Sequence, residues 1–167
     1  MDLEVETGMG SISASVRKLD GLYSKLAHKQ GTTYGFVSVY YILKFNRAST
    51  QKEISDIWQV PKQTVNNVIK KLIAEKHIIL LANSEDKREK RIKLTPLGEA
   101  YTDELLKPFF HLNEMIGKRV GIDLINQIAE GLNTLGSALE LEMELKEVSS
   151  KWVDMGKNNE ISRRKKT

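Results

Sequence analysis

The chain has 167 residues, 40% of them apolar, which suits one domain with extensions or two small units. It has no cysteine, which excludes disulfides, thiol nucleophiles, thiol redox sensing and cysteine-based zinc sites. The net charge of +4 is unevenly placed: residues 46–95 carry +5 and residues 121–156 carry −5, so a polyanion would meet the middle of the chain.

Residues 1–10 are acidic and lack an apolar h-region, so they read as a disordered tail and not as a secretory leader. No run of about 18 apolar residues occurs anywhere, so no transmembrane helix is expected, and the whole fits a cytoplasmic protein. From Ser11 to Lys29, Ile12, Val16, Leu19, Leu22, Tyr23 and Leu26 recur at helical spacing, and Gln30-Gly31-Thr32 ends that helix. A second helix runs from Thr33 to Phe45. Thr50-Gln51-Lys52-Glu53 then forms a capping box, in which the Thr hydroxyl accepts from the Glu53 N–H while the Glu carboxylate reaches back. A short helix with Ile54, Ile57 and Trp58 follows, and Val60-Pro61 breaks the chain.

A fourth helix runs from Pro61 to Lys76, with Val65, Val68, Ile69 and Leu72 as its buried stripe. Its other face shows Lys62, Gln63, Thr64, Asn66, Asn67, Lys70 and Lys71, with no acid before Glu75. Amides can bond adenine bidentately, and lysines reach guanine or phosphate. A short capped helix and a tight turn in front of such a face favour a helix–turn–helix over an ordinary polar helix surface.

Ile78–Leu81 and Arg91–Leu94 are strand candidates around a loop in which eight of the ten residues from Glu85 to Leu94 are charged. Thr95 as N-cap and Pro96 start a long helix to Val120, with a bend at Pro108. A final helix from Ile122 to Trp152 precedes a basic tail. Its length exceeds what a domain of this size needs, which favours pairing with a second copy over packing on its own subunit.

The residues of 50-TQKEISDIWQVPKQTVNNVIKKL-72, then Ile78-Ile79, Asp86-Lys87-Arg88 and 94-LTPLG-98, resemble the MarR family of winged helix–turn–helix regulators. Asp86, Arg88, Leu94, Thr95 and Gly98 fall at the family's offsets for the wing Asp-x-Arg and the Leu-Thr-x-x-Gly step. The pattern departs at Lys76, where the family usually has Gly, so that Lys76 has to turn left-handed. It departs also at His77, usually apolar, and at Leu80, often Arg.

The resemblance implies a mainly α fold with a small β-wing, flanked by N- and C-terminal dimerisation helices. It divides the chain into a tail (1–10), an N-terminal helix (11–32), the winged helix–turn–helix (33–98), C-terminal helices (99–152) and a flexible basic tail (153–167). It implies a homodimer on a pseudo-palindromic operator in double-stranded DNA, with Lys62, Gln63, Thr64, Asn66, Asn67, Lys70 and Lys71 at the major groove. Arg88 would enter the minor groove, oriented by Asp86, with Lys87 and Lys90 near phosphates. It also implies repression of nearby genes, relieved by a small aromatic or anionic effector near Tyr34, Phe36, Tyr40 and Tyr41, for which core packing is the plainer reading.

No enzyme is expected, because no nucleophile–base constellation or Gly-rich phosphate loop stands out. No cofactor and no metal are expected either: His111 and Glu114 share a helix face, but a surface or packing histidine is the simpler reading. The rival to DNA binding is a winged-helix protein–protein module, which would need acidic or large apolar residues on the recognition face.

Overall fold

The computed structural model describes residues 2–46, 49–59, 61–82 and 89–144. In chain order it contains α1 (Leu3–Lys29), α2 (Tyr34–Asn46), α3 (Gln51–Trp58), α4 (Lys62–Ala74), β1 (Ile78–Ala82), β2 (Lys90–Leu94), α5 (Pro96–Val120) and α6 (Ile122–Glu144). The chain divides into two compact units, residues 1–112 and 113–167. The winged helix–turn–helix is mainly α with one antiparallel hairpin, in which Ile78 pairs with Leu94 and Ala82 with Lys90. The wing tip bearing Asp86, Lys87 and Arg88, and everything expected beyond Glu144, lie outside the described residues.

The first unit is organised around α2, whose residues are too apolar to leave any broad face in water. Phe36, Val39, Tyr40, Ile42 and Leu43 pack against Ile54 of α3, Val65, Ile69 and Leu72 of α4, Ile78 of β1, and Ile92 and Leu94 of β2. Val37 packs instead with Ala27 of α1 and with Leu106 and Phe109 of α5. One helix thus serves two clusters, and each fully buried side chain of this size contributes about 1.5–3 kcal/mol.

α1 begins at Leu3, eight residues before the start expected at Ser11. The Asp2 carboxylate accepts from the Glu4 and Val5 N–H groups at 3.0 and 3.4 Å, and Glu4 and Glu6 favour the positive end of the helix dipole. The expected disordered tail therefore holds the first two turns of a capped helix. The capping box of α3 is present, with Thr50 N–H to Glu53 Oε2 at 2.7 Å and Glu53 N–H to Thr50 Oγ1 at 3.1 Å. α5 runs unbroken through Pro108.

Between α4 and β1 the chain reverses through Lys76, which takes the left-handed conformation at φ 60°. The His77 carbonyl accepts from Thr95 N–H at 2.9 Å. The Thr95 hydroxyl donates to the Lys76 carbonyl at 2.8 Å and accepts from Gly98 N–H at 3.0 Å, so Thr95 caps α5 while holding the end of α4. A Cβ at Gly98 would lie 1.9 Å from the His77 carbonyl oxygen.

Two substitutions test this joint by chemical denaturation. Gly98→Ala is expected to destabilise the fold by more than about 2 kcal/mol, because the obstacle is backbone that cannot rotate away. Lys76→Gly is expected to stabilise it by about 0.5–1 kcal/mol, the left-handed strain relieved less the extra freedom of the unfolded glycine.

Candidate nucleic-acid interface

α4 is reached through a tight turn in which Gln59 closes α3 in the left-handed conformation, φ 49°, and Pro61 supplies the N-cap position. Val65, Ile69 and Leu72 are buried, and at 100° per residue the opposite ridge carries Gln63, Asn67 and Lys70. All three are exposed. Gln63 Nε2 donates to Asn67 Oδ1 at 3.2 Å, which holds both amides along the ridge and leaves donors and acceptors to spare.

The remaining polar residues of α4 lie on its flanks. Lys62 and the half-buried Asn66 share one flank. Thr64 and Lys71 share the other, which faces α2: Thr64 Cγ2 approaches Gly35, and Lys71 Nζ lies 4.5 Å from the centroid of the Phe36 ring. Lys71 Nζ also stands 3.8 Å from Glu75 Oε1. The seven residues named from the sequence therefore divide into an outward ridge of three and two flanks, and Lys71 is already engaged within the protein.

Lys90 is exposed at the start of β2. With Gln51, Lys52, Leu80, Glu89 and Ile92 it lines a cleft of about 320 Å³ between the first turn of α3 and the hairpin. Lys52 was not singled out from the sequence. Its signal was its place just after the N-cap Thr50, which puts it on the first turn of the short helix.

The aromatic residues of α2 separate. Phe36 and Tyr40 are buried and pack against each other. Tyr34 and Tyr41 join an array with other helices of the first unit: Tyr23 stacks on Tyr34 at 5.6 Å, Trp58 meets both tyrosines edge-on, and Tyr41 contacts Phe45 at 4.6 Å and Phe110 at 6.4 Å. Tyr41 and Phe45 remain exposed.

This arrangement, a capped short helix, a tight turn, a recognition-type helix and a hairpin, was compared with known proteins. The sequence profile of the MarR family matches residues 39–89, which run from the middle of α2 to the residue before β2. Residues 39–89 thus resemble a MarR-family winged helix. The fold is shared with NMB1585, a MarR family regulator from Neisseria meningitidis, at 24% identity over 81% of this chain and 96% of that one, with a TM-score of 0.72. It is shared with the transcriptional regulator BldR from Sulfolobus solfataricus, at 18% identity over 81% and 96% and a TM-score of 0.65. A mutant MarR from E. coli complexed with operator DNA aligns at 20% identity over 81% and 99%, with a TM-score of 0.57. No curated protein matches the chain.

Within the first unit, burial first, then the neighbouring Tyr23, Asp20 and Tyr41, push the Tyr34 hydroxyl up to about 12. A raised pKa means the folded state disfavours the phenolate. The contribution to stability is therefore intact below about pH 10 and is lost as pH rises through the folded value. Tyr34→Phe is expected to lose less stability than the parent chain between about pH 10 and 12, measured by urea denaturation across that range.

Proposed function

We propose that this chain is a homodimeric, sequence-specific DNA-binding regulator that represses nearby genes and is released by a small aromatic or anionic effector. The observation that carries the reading is the outward ridge of α4, where two amides and a lysine stand exposed on a helix that contains no acidic residue. The complex of an E. coli MarR mutant with operator DNA, on the same fold, supports it.

In this reading Gln63 and Asn67 meet base edges in the major groove, with Asn66 at the side of the contact. Thr64 offers a methyl to thymine, and Lys62, Lys70, Lys71 and Lys90 meet guanine or phosphate. Arg88 enters the minor groove with Asp86 orienting it and Lys87 on the backbone. A repressor of this kind acts by occupying DNA that the transcription machinery needs.

The dimer is supported separately in each unit. In the first, α1 leaves Ile12, Val16, Leu19 and Leu22 exposed along one stripe, and in the second no described residue of α6 is buried. A two-fold pairing of such faces would present two recognition helices to a palindromic site. The part-exposed aromatic array on α1, α2, α3 and α5 supplies a stacking surface that a flat aromatic effector would fit.

Selection of bound genomic fragments followed by gel shift tests the reading, with the mass of two chains expected in sedimentation. Absence of any binding at low salt by the folded protein would overturn it. Asn67→Ala should cost about 1–3 kcal/mol, concentrated at one base pair. Lys70→Ala should weaken all sequences alike and lower the salt slope by about one. Arg88→Ala should weaken operator binding and leave the dimer intact, and unchanged affinity would remove the wing contact.

A further inference from the structure

His77 stands where a winged helix of this family usually has an apolar residue, and it is buried, 8% exposed, between three segments. From α2, the Tyr40 hydroxyl lies 2.6 Å from its Nδ1. From α5, the Tyr101 ring lies against the imidazole at 4.5 Å between centroids. From the end of α4, Glu75 Oε2 is 3.6 Å from the same Nδ1. The other carboxylate oxygen of Glu75 is the one that faces Lys71. Lys76, next in the chain, is exposed.

A phenol is a better donor than a neutral imidazole N–H, and an imidazole nitrogen is a better acceptor than a phenol oxygen. In the neutral ring the Tyr40 hydroxyl therefore donates to Nδ1, and the ring proton sits on Nε2. Burial foremost holds both Tyr40 and Tyr101 above the usual tyrosine range, so both stay neutral at neutral pH. Among the described residues facing the ring, Glu75 is the carboxylate, and Lys71 is its other partner.

We propose that His77 is a proton-controlled positioning residue for the recognition helix: on protonation it draws Glu75 from Lys71 and frees Lys71 for a DNA phosphate. The inference rests on the DNA-binding reading. In the protonated ring Nδ1 becomes a donor, Tyr40 turns from donor to acceptor, and the Glu75 carboxylate closes on the new charge, which the face of Tyr101 also favours. Lys71 then keeps its ammonium without a competing carboxylate, and the end of α4 gains one positive charge. Because the DNA-bound form favours the protonated ring, binding takes up a proton, and affinity rises as pH falls from 8 to 6.

Two measurements test this. In the free protein, NMR signals of the His77 ring and of the Lys71 ε-methylene are followed from pH 8 to 5.5. They are expected to move with one midpoint in the parent chain, with the Lys71 response abolished in Glu75→Gln. A Lys71 signal indifferent to the His77 titration would overturn the inference. If that coupling is present and no DNA binds at any pH, the DNA-binding reading fails instead.

With operator DNA, the parent chain is expected to gain about threefold in affinity between pH 8 and 6, the size of one exposed ion pair. Glu75→Gln is expected to bind tightly with little pH dependence, and His77→Phe, where it folds, to bind as weakly as the parent chain does at pH 8, also with little pH dependence. An equal pH slope in the parent chain and in Glu75→Gln would overturn the inference.

Discussion

The winged unit depends on one backbone carbonyl. A recognition helix must stop, the chain must reverse into a strand, and a long helix must begin where the hairpin returns. All three events occur around the His77 carbonyl, which accepts from Thr95 N–H and sits so close to Gly98 that no side chain fits there. The left-handed Lys76 aims the carbonyl. Thr95 then uses a single hydroxyl twice, as donor to the end of α4 and as acceptor from the start of α5. These three bonds tie the two helix ends together, so neither can shift alone without breaking one of them.

That fixity decides what α4 can do. Its apolar stripe is held by α2 and the hairpin, so the helix cannot roll to bring more residues outward. Of its polar residues only a ridge one residue wide points directly away from the core, and the flanks are shared with neighbouring helices. The bond from Gln63 to Asn67 is significant in this setting. Both oxygen and nitrogen of each amide keep further hydrogen-bonding capacity. The bond therefore removes rotamer freedom before any base is met, which lowers the entropy lost on contact. Affinity can come from lysines that remain loose, but discrimination needs groups already in place.

Local chemistry made much of this legible in the sequence. The capping box at Thr50–Glu53 and the Thr95 cap are set by a few adjacent residues, and each is seen where the pattern puts it, while the left-handed turn at Lys76 was implied by the family resemblance and is present. The stripe Val65, Ile69 and Leu72 follows from helical period alone. What period cannot supply is the identity of the neighbour on each flank. Lys71 reads as an outward cation until α2 is placed beside it with Phe36 under its ammonium. His77 looked like a mere departure from an apolar position, because its partners Tyr40 and Tyr101 are 37 and 24 residues away. The start of α1 was missed for the opposite reason: few apolar residues mark its first turns, and a single cap at Asp2 carries the signal.

The second unit raises a separate physical question, since α6 has 23 described residues and buries none of them. An isolated helix of that length is marginal in water, because nucleation is costly and propensity alone returns little. Ile125, Ile128, Leu132, Leu135 and Leu139 are spaced 3, 4, 3 and 4 residues apart, the interval at which apolar side chains keep facing a partner helix along a seam. The opposite positions hold Asp123, Glu130 and Glu144, which would repel a polyanion and tolerate water. In the homodimer proposed above, such a seam would face a second copy. Pairing would then set more than stability. It would put two ridges of modest discrimination on one molecule, and a palindromic site offers a half-site to each.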